Sequence, residues 1–164
     1  MPATPSETET LEHEVRIAAE PETVFGYFTD PLKMVEWMGA EATLDPRPGG
    51  LFRIGFHPSD AVADFVGGGG VNTVLGEYVE VEPYSRIVFT WGYERRLFQV
   101  TAQSTAVEVT LTPDGGDTIV RLVHRRLPGV ATAFHRAGWK HYLPRLATIA
   151  AGGDAGPDAW QVMA

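Results

Sequence analysis

The sequence predicts an α+β fold in which a curved antiparallel sheet of about seven strands wraps around one long C-terminal helix. Three observations carry that prediction. Period-two stretches recur along most of the chain and are joined by turn signals, the pattern of antiparallel neighbours. Two short helical segments stand together after the first strand. A single long helical stretch closes the pattern, and one helix laid on a large curled sheet leaves space between the layers.

Residues 1–9 read as a disordered leader, 10–152 as a single domain and 153–164 as a C-terminal tail. LEHEVRIAA (11–19) sets Leu11, His13, Val15 and Ile17 against Glu12, Glu14 and Arg16, a strand with one buried face. EPETVFGYFTDP (20–31) changes period. Pro21 fits a first helical turn, Glu20 and Glu22 suit its positive end, and Val24, Phe25 and Phe28 form the apolar stripe. Asp30-Pro31 stops that helix, and LKMVEWMG (32–39) supplies a second one ended by Gly39.

EATLDPRPGG (41–50) is a strand with a Pro/Gly turn, and LFRIGF (51–56) is a strand. HPSDAVADFVGGGG (57–70) reads as a connection, its four glycines Gly67–Gly70 making a flexible loop over a cavity mouth. VNTVLGEYVEVE (71–82), SRIVFTWGY (85–93), STAVEVTLTP (104–113) and DTIVRLVHRRL (117–127) are four further strands. In the last, Thr118, Val120, Leu122 and His124 share the inward face, with Arg121 and Arg125 opposite. The closing helix is built on FHRAGWKHYLPRL (134–146). His135, Trp139, Leu143, Leu146 and Ala150 follow one side, His141 falls toward solvent, and Gly138 lets a strand approach closely. Pro144 deprives the Lys140 carbonyl of its helical donor and is expected to kink the helix.

At 164 residues the chain can bury roughly 68–70% of its unfolded surface in one core. A net charge of −8, from 13 basic and 21 acidic residues, argues against a nucleic-acid or anionic-membrane partner. The absence of cysteine excludes disulfides, thiolate metal sites and a cysteine nucleophile. With no apolar run near the ~20 residues of a membrane span and a polar, acidic start, a cytoplasmic location is expected.

Catalytic signatures are sparse. His135 and His141 are six residues apart, about 240° around a helix, so they cannot chelate one ion, and no metal or cofactor is expected. No G-x-S-x-G elbow is present, and VGGGGVNT lacks the lysine of a phosphate loop. His57, His124 and His135 stand at strand ends or on the covering helix. Each alone reads as a structural histidine, whereas a convergent pair could move protons, making His124 and His135 the candidate catalytic residues. Trp37, Phe52, Phe56, Trp91, Tyr93 and Trp139 supply aromatic walls suited to a small-molecule pocket, although an ordinary core needs the same residues.

Five stretches in register then resemble one family: PETVFGYFTDPLKMVEWMG, LDPRPGGLFRIGF, GEYVEVEPYSRIVFTWGY, VEVTLTPDGGDTIVRLVHRRLP and HRAGWKHYLPRLA. Together, over about residues 11–150, they resemble the Hsp90 ATPase activator homologue-like (AHSA1-like) proteins of the START-like, or polyketide cyclase-like (SRPBCC), superfamily. The resemblance implies a helix-grip fold. By position Trp37, Trp91, His124, His135 and Trp139 match recurrent family positions around the cavity or its supports, and Gly49, Gly50 and Gly76 match turn positions. Members include hydrophobic-ligand carriers, cyclases, stress-response proteins and a chaperone-activating domain, so fold alone leaves function open.

Three functions follow as expectations. The first is binding of a small hydrophobic or aromatic ligand between sheet and helix, at Trp37, Phe52, Phe56, His57, Trp91, Tyr93, His124, His135 and Trp139. The second is a cyclase- or hydrolase-type enzyme using His124 or His135 as acid or base. The third is an Hsp90-type chaperone partner that stimulates its ATPase. Binding is preferred over both, and an exposed apolar rim around such a cavity would favour a homodimer.

Overall fold

The computed structural model describes residues 8–66 and 71–161. Most of the expected leader, the Gly67–Gly70 loop and residues 162–164 of the tail lie outside the described residues. The elements run β1 (Thr8–Ile17), α1 (Pro21–Thr29), α2 (Pro31–Trp37), β2 (Glu41–Leu44), β3 (Leu51–Phe56), α3 (Asp60–Val66), β4 (Asn72–Glu82), β5 (Arg86–Trp91), β6 (Thr105–Asp114), β7 (Asp117–Pro128) and α4 (Thr132–Ala150). A 3-10 turn, Gly129–Ala131, leads into α4. The seven strands form one sheet in the order β1-β7-β6-β5-β4-β3-β2, and every neighbouring pair is antiparallel.

Local chemistry fixes the joints. Pro21 and Pro31 open α1 and α2, and the Asp30 carboxylate caps α2 by accepting the Leu32 N–H at 2.9 Å. Gly115 (φ 59°) and Gly116 (φ 92°) both lie in the left-handed region, which a two-residue hairpin between β6 and β7 demands. Curvature has a similar source. At Gly76 a Cβ would overlap the Thr90 carbonyl oxygen, so only glycine lets β4 and β5 close to this distance. The β4–β5 register shifts just beyond it, between Tyr78 and Glu80.

The concave face of the bent sheet forms the core with α4. Thr118, Val120, Leu122 and His124 of β7 are all buried, as the alternation of that strand predicts. Val107, Val109 and Leu111 of β6 continue the row, and Phe52 stacks on Phe89 at 4.0 Å between ring centroids. Helix α4 buries His135, Trp139, Tyr142, Leu143 and Leu146 against them.

Two local features differ from expectation. The segment read as a plain connection holds helix α3, started by the Ala63 N–H donating to the Ser59 carbonyl at 2.7 Å. The four glycines that follow dominate the composition of the segment and hide its helix-compatible start. Helix α4 is continuous through Pro144, which is exposed. Gly138 faces the indole of Trp160 rather than a strand: a Cβ there would lie 3.9 Å from Trp160 Cζ3. The chain after α4 folds back along the helix and takes the place foreseen for the strand.

Candidate functional site

Strand β5 ends at Trp91, and alternation across Gly92 returns Tyr93 to the same inward side. Strand β7 delivers His124, and α4 delivers His135 and Trp139 one turn apart. All five side chains are buried. Ring centroids stand 5.3 Å apart for Trp91 and Trp139, and 5.2 Å for His124 and His135.

Two hydrogen-bonded chains hold these rings. In the first, Thr105 Oγ1 donates to the Trp91 carbonyl at 2.6 Å, because a carbonyl can only accept. The same oxygen therefore accepts from His124 Nε2–H at 2.8 Å. Trp139 Nε1–H, a donor only, reaches His124 Nδ1 at 3.1 Å. Both ends agree on one tautomer. His124 is a neutral imidazole with its proton on Nε2 and its lone pair spent on Trp139. Burial, reinforced by His135 and His13, holds it well below the ordinary imidazole range.

In the second chain, His135 Nδ1–H donates to the Ala131 carbonyl at 2.7 Å. That leaves Nε2 as the acceptor for the Tyr93 hydroxyl, also at 2.7 Å. The Tyr93 oxygen in turn faces Trp91 Nε1–H at 3.4 Å. Burial pulls His135 down to about 4 despite the opposing Ala131 bond, and burial raises the Tyr93 hydroxyl above its ordinary range. Passing a proton from Tyr93 to His135 would work against both shifts. Neither imidazole keeps a free lone pair for a substrate.

The rings wall a cavity of about 60 Å³. At roughly 10–15 Å³ per water it has room for about four to six waters. Sheet and connection contribute Phe56, Pro58, Val62, Asn72, Trp91 and Tyr93. Helix α4 contributes Phe134, His135, Gly138, Trp139 and Tyr142, with Met38 and Trp160 completing the wall. Among the described residues, no Asp, Glu, Lys or Arg lines it, and Asn72 brings the one side-chain amide.

Of the nine residues named from sequence, Phe56, Trp91, Tyr93, His135 and Trp139 line this cavity. Trp37, Phe52 and His124 are fully buried beyond its wall. Trp37 donates from Nε1 to the Tyr27 carbonyl at 2.9 Å, and Phe52 packs among Phe89, Tyr78 and Trp91. His57 stands away from the cavity with its ring 3.8 Å from Glu41. Among the described residues no group of three His, Asp or Glu could hold a metal ion, and no helix is long and apolar enough to cross a membrane.

Sequence reasoning missed Trp160, Phe134, Met38, Asn72 and Tyr142. Trp160 had one signal, a lone large aromatic in the otherwise small and polar AGGDAGPDAWQ. It also explains His141, which was expected in solvent. The imidazole lies flat under the Trp160 indole, with centroids 4.7 Å apart and planes 10° from parallel. Its Nε2–H donates to Asp158 Oδ1 at 2.7 Å.

Comparison with known proteins places this geometry. Residues 18–151 match the family described as "Activator of Hsp90 ATPase homolog 1-like protein". Among solved structures, an AHSA1-like protein from Rhizobium etli is 34% identical with a TM-score of 0.67, over 96% of this chain and 91% of that one. A protein from Chromobacterium violaceum is 23% identical with a TM-score of 0.71, over 87% of this chain and 96% of that one. DynU16, from the dynemicin biosynthetic locus, is 22% identical with a TM-score of 0.72, over 93% of this chain and 51% of its own. No curated protein matches the chain.

Proposed function

The chain belongs to the Activator of Hsp90 ATPase homolog 1-like family, and from that premise we propose that its cavity binds a small, largely apolar ligand. The observation that carries this reading is the orientation of the polar tips. The indole N–H groups of Trp91 and Trp139, the Tyr93 hydroxyl and both imidazoles bond to one another or to backbone. The wall therefore offers mainly ring faces and edges to an occupant, the surface that favours desolvated aromatic guests. The fold shared with DynU16, a protein of a biosynthetic locus, supports a small-molecule setting.

The same bonds favour a receptor over a cyclase- or hydrolase-type enzyme, since a general base needs a free nitrogen within reach of its proton. Titration of phenol, toluene and benzyl alcohol into labelled protein, followed through the indole N–H resonances, tests the reading. Saturable shifts at Trp91 and Trp139 are expected. Their absence with every probe ends it, and stimulation of an Hsp90-type ATPase would instead support the chaperone-partner reading that the family's description carries.

A further inference from the structure

We infer that Trp160 sets the size limit of the cavity, and that the C-terminal strap carrying it is the door through which a ligand enters. The inference rests on the binding reading above and names the ligand class more closely. Beyond α4 the chain turns through Gly152, at φ 92°, and runs back along the helix it has just left.

Three sets of contacts hold the returning strap. Arg145 Nη1 donates to the carbonyls of Ala155, Gly156 and Pro157 at 3.3, 3.0 and 3.4 Å. Asp158 accepts from His141 Nε2–H at 2.7 Å, the Trp160 N–H at 2.9 Å and the Gln161 amide at 3.1 Å, and from the Tyr142 hydroxyl. Across the mouth, the Ser59 N–H donates to the Trp160 carbonyl at 2.9 Å and the His57 N–H to Gln161 Oε1 at 3.3 Å. The strap thus ties α4 to the connection after β3, the two elements that form opposite walls of the cavity.

Between those ties hangs the indole of Trp160. It lies on His141, beside Phe134 and Tyr142, over the bare backbone of Gly138. At Gly138 a Cβ would lie 3.9 Å from Trp160 Cζ3, ordinary van der Waals contact, so the indole covers this stretch of helix closely. Apart from this indole, residues 151–159 bring only Ala, Gly, Asp and Pro. A segment held by hydrogen bonds and one aromatic side chain opens locally, without global unfolding. Removing the indole leaves a two-ring gap continuous with the cavity, whose wall it forms. The wild-type site accordingly selects single-ring ligands, and the open site accepts fused-ring ones.

The test measures equilibrium binding of phenol and of 2-naphthol to the wild-type protein and to the Trp160→Ala and Trp160→Phe variants. Wild type is expected to prefer phenol, Trp160→Ala to gain about tenfold toward 2-naphthol, and Trp160→Phe to fall between. Trp160→Phe keeps an aromatic cover, so it decides the question if Trp160→Ala does not fold. Phenol binding by wild type, with 2-naphthol affinity unchanged in the variants, overturns the role of Trp160 and leaves the cavity reading standing. Failure of every protein to bind either probe overturns the cavity reading and the inference together. As a kinetic arm, Asp158→Asn loosens the strap with Trp160 in place and is expected to raise the phenol association rate; an unchanged rate overturns the door.

Discussion

Trp139 donates its indole N–H to Nδ1 of His124 across 3.1 Å, so a residue on the closing helix dictates the tautomer of a histidine on the sheet. The neighbouring His135 is held in the other tautomer by the Ala131 carbonyl and Tyr93. Two neutral imidazoles with ring centroids 5.2 Å apart thereby carry their protons on opposite nitrogens. This arrangement turns polar residues into supports for an aromatic wall.

Nitrogen NMR of the side chains checks that arrangement directly. At pH 6.5, His124 is expected as the Nε2–H form and His135 as the Nδ1–H form, both neutral. Trp139→Phe removes the donor and strands a buried acceptor, costing about 1–3 kcal/mol in denaturant unfolding. A charged pattern for either ring at that pH would contradict the hydrogen bonds described.

Stability should fall in mild acid, and the sign follows from the depressed imidazoles. His135 titrates at about 4 in the fold against 6.5 when unfolded. Between those values the unfolded chain holds a proton that the folded chain refuses, so stability drops as pH falls through this window. The full drop from His135 is about 3 kcal/mol, at 1.36 kcal/mol per unit, and His124, shifted the same way, adds to it. Asp158 behaves differently. Burial pushes its carboxyl up, but bonds from His141, the Trp160 N–H, Tyr142 and Gln161 reverse this and leave it below its usual range. Its contribution is lost only at lower pH, below about 4. Denaturant midpoints at pH 7.5 and 5 read the histidine effect before Asp158 contributes, and a flat profile over that interval would contradict the histidine assignment.

Gly76→Ala should be a costly single-methyl change in the sheet. The new Cβ would meet the Thr90 carbonyl oxygen, backbone that has little room to yield because the Glu77 N–H is already bonded to Thr90 Oγ1 at 2.9 Å. A loss of about 3 kcal/mol or more is expected. Gly129→Ala is the control, since nothing lies within 4 Å of its Cβ position. Unfolding curves for the pair should differ widely; similar curves would remove Gly76 as the source of the bend.

Alternation made the strands legible, and with them the inward row that ends at His124. Helical spacing likewise placed His135 and Trp139 on one side. Which atoms meet was not legible, because that depends on how β7 and α4 are offset across two layers, a quantity no local period encodes. The error over His141 has a similar cause. A helix has as many buried sides as it has neighbours, and here a second neighbour comes from a strap rich in Gly and Asp, which carries no periodic signal. Helix α3 was obscured by the glycines beside it. Local order is readable when a repeat encodes it, and a strap or a short helix has none.

Pro144 offers the last check, because it separates a tolerated defect from a shaped one. Its ring is exposed and it cannot donate to the Lys140 carbonyl, so Pro144→Ala restores a helical hydrogen bond without removing packing. The intrinsic gain in a helix interior is about 3 kcal/mol, offset by about 1 kcal/mol for the freer unfolded chain. A net gain of about 2 kcal/mol corresponds to a Tm rise of about 4–8 °C for a chain of this size. Thermal unfolding and phenol affinity should be measured together. A higher Tm with unchanged affinity means the proline is merely accommodated. A lower Tm would mean that the wall formed by Trp139 and Tyr142, one turn before it, depends on the backbone that Pro144 imposes.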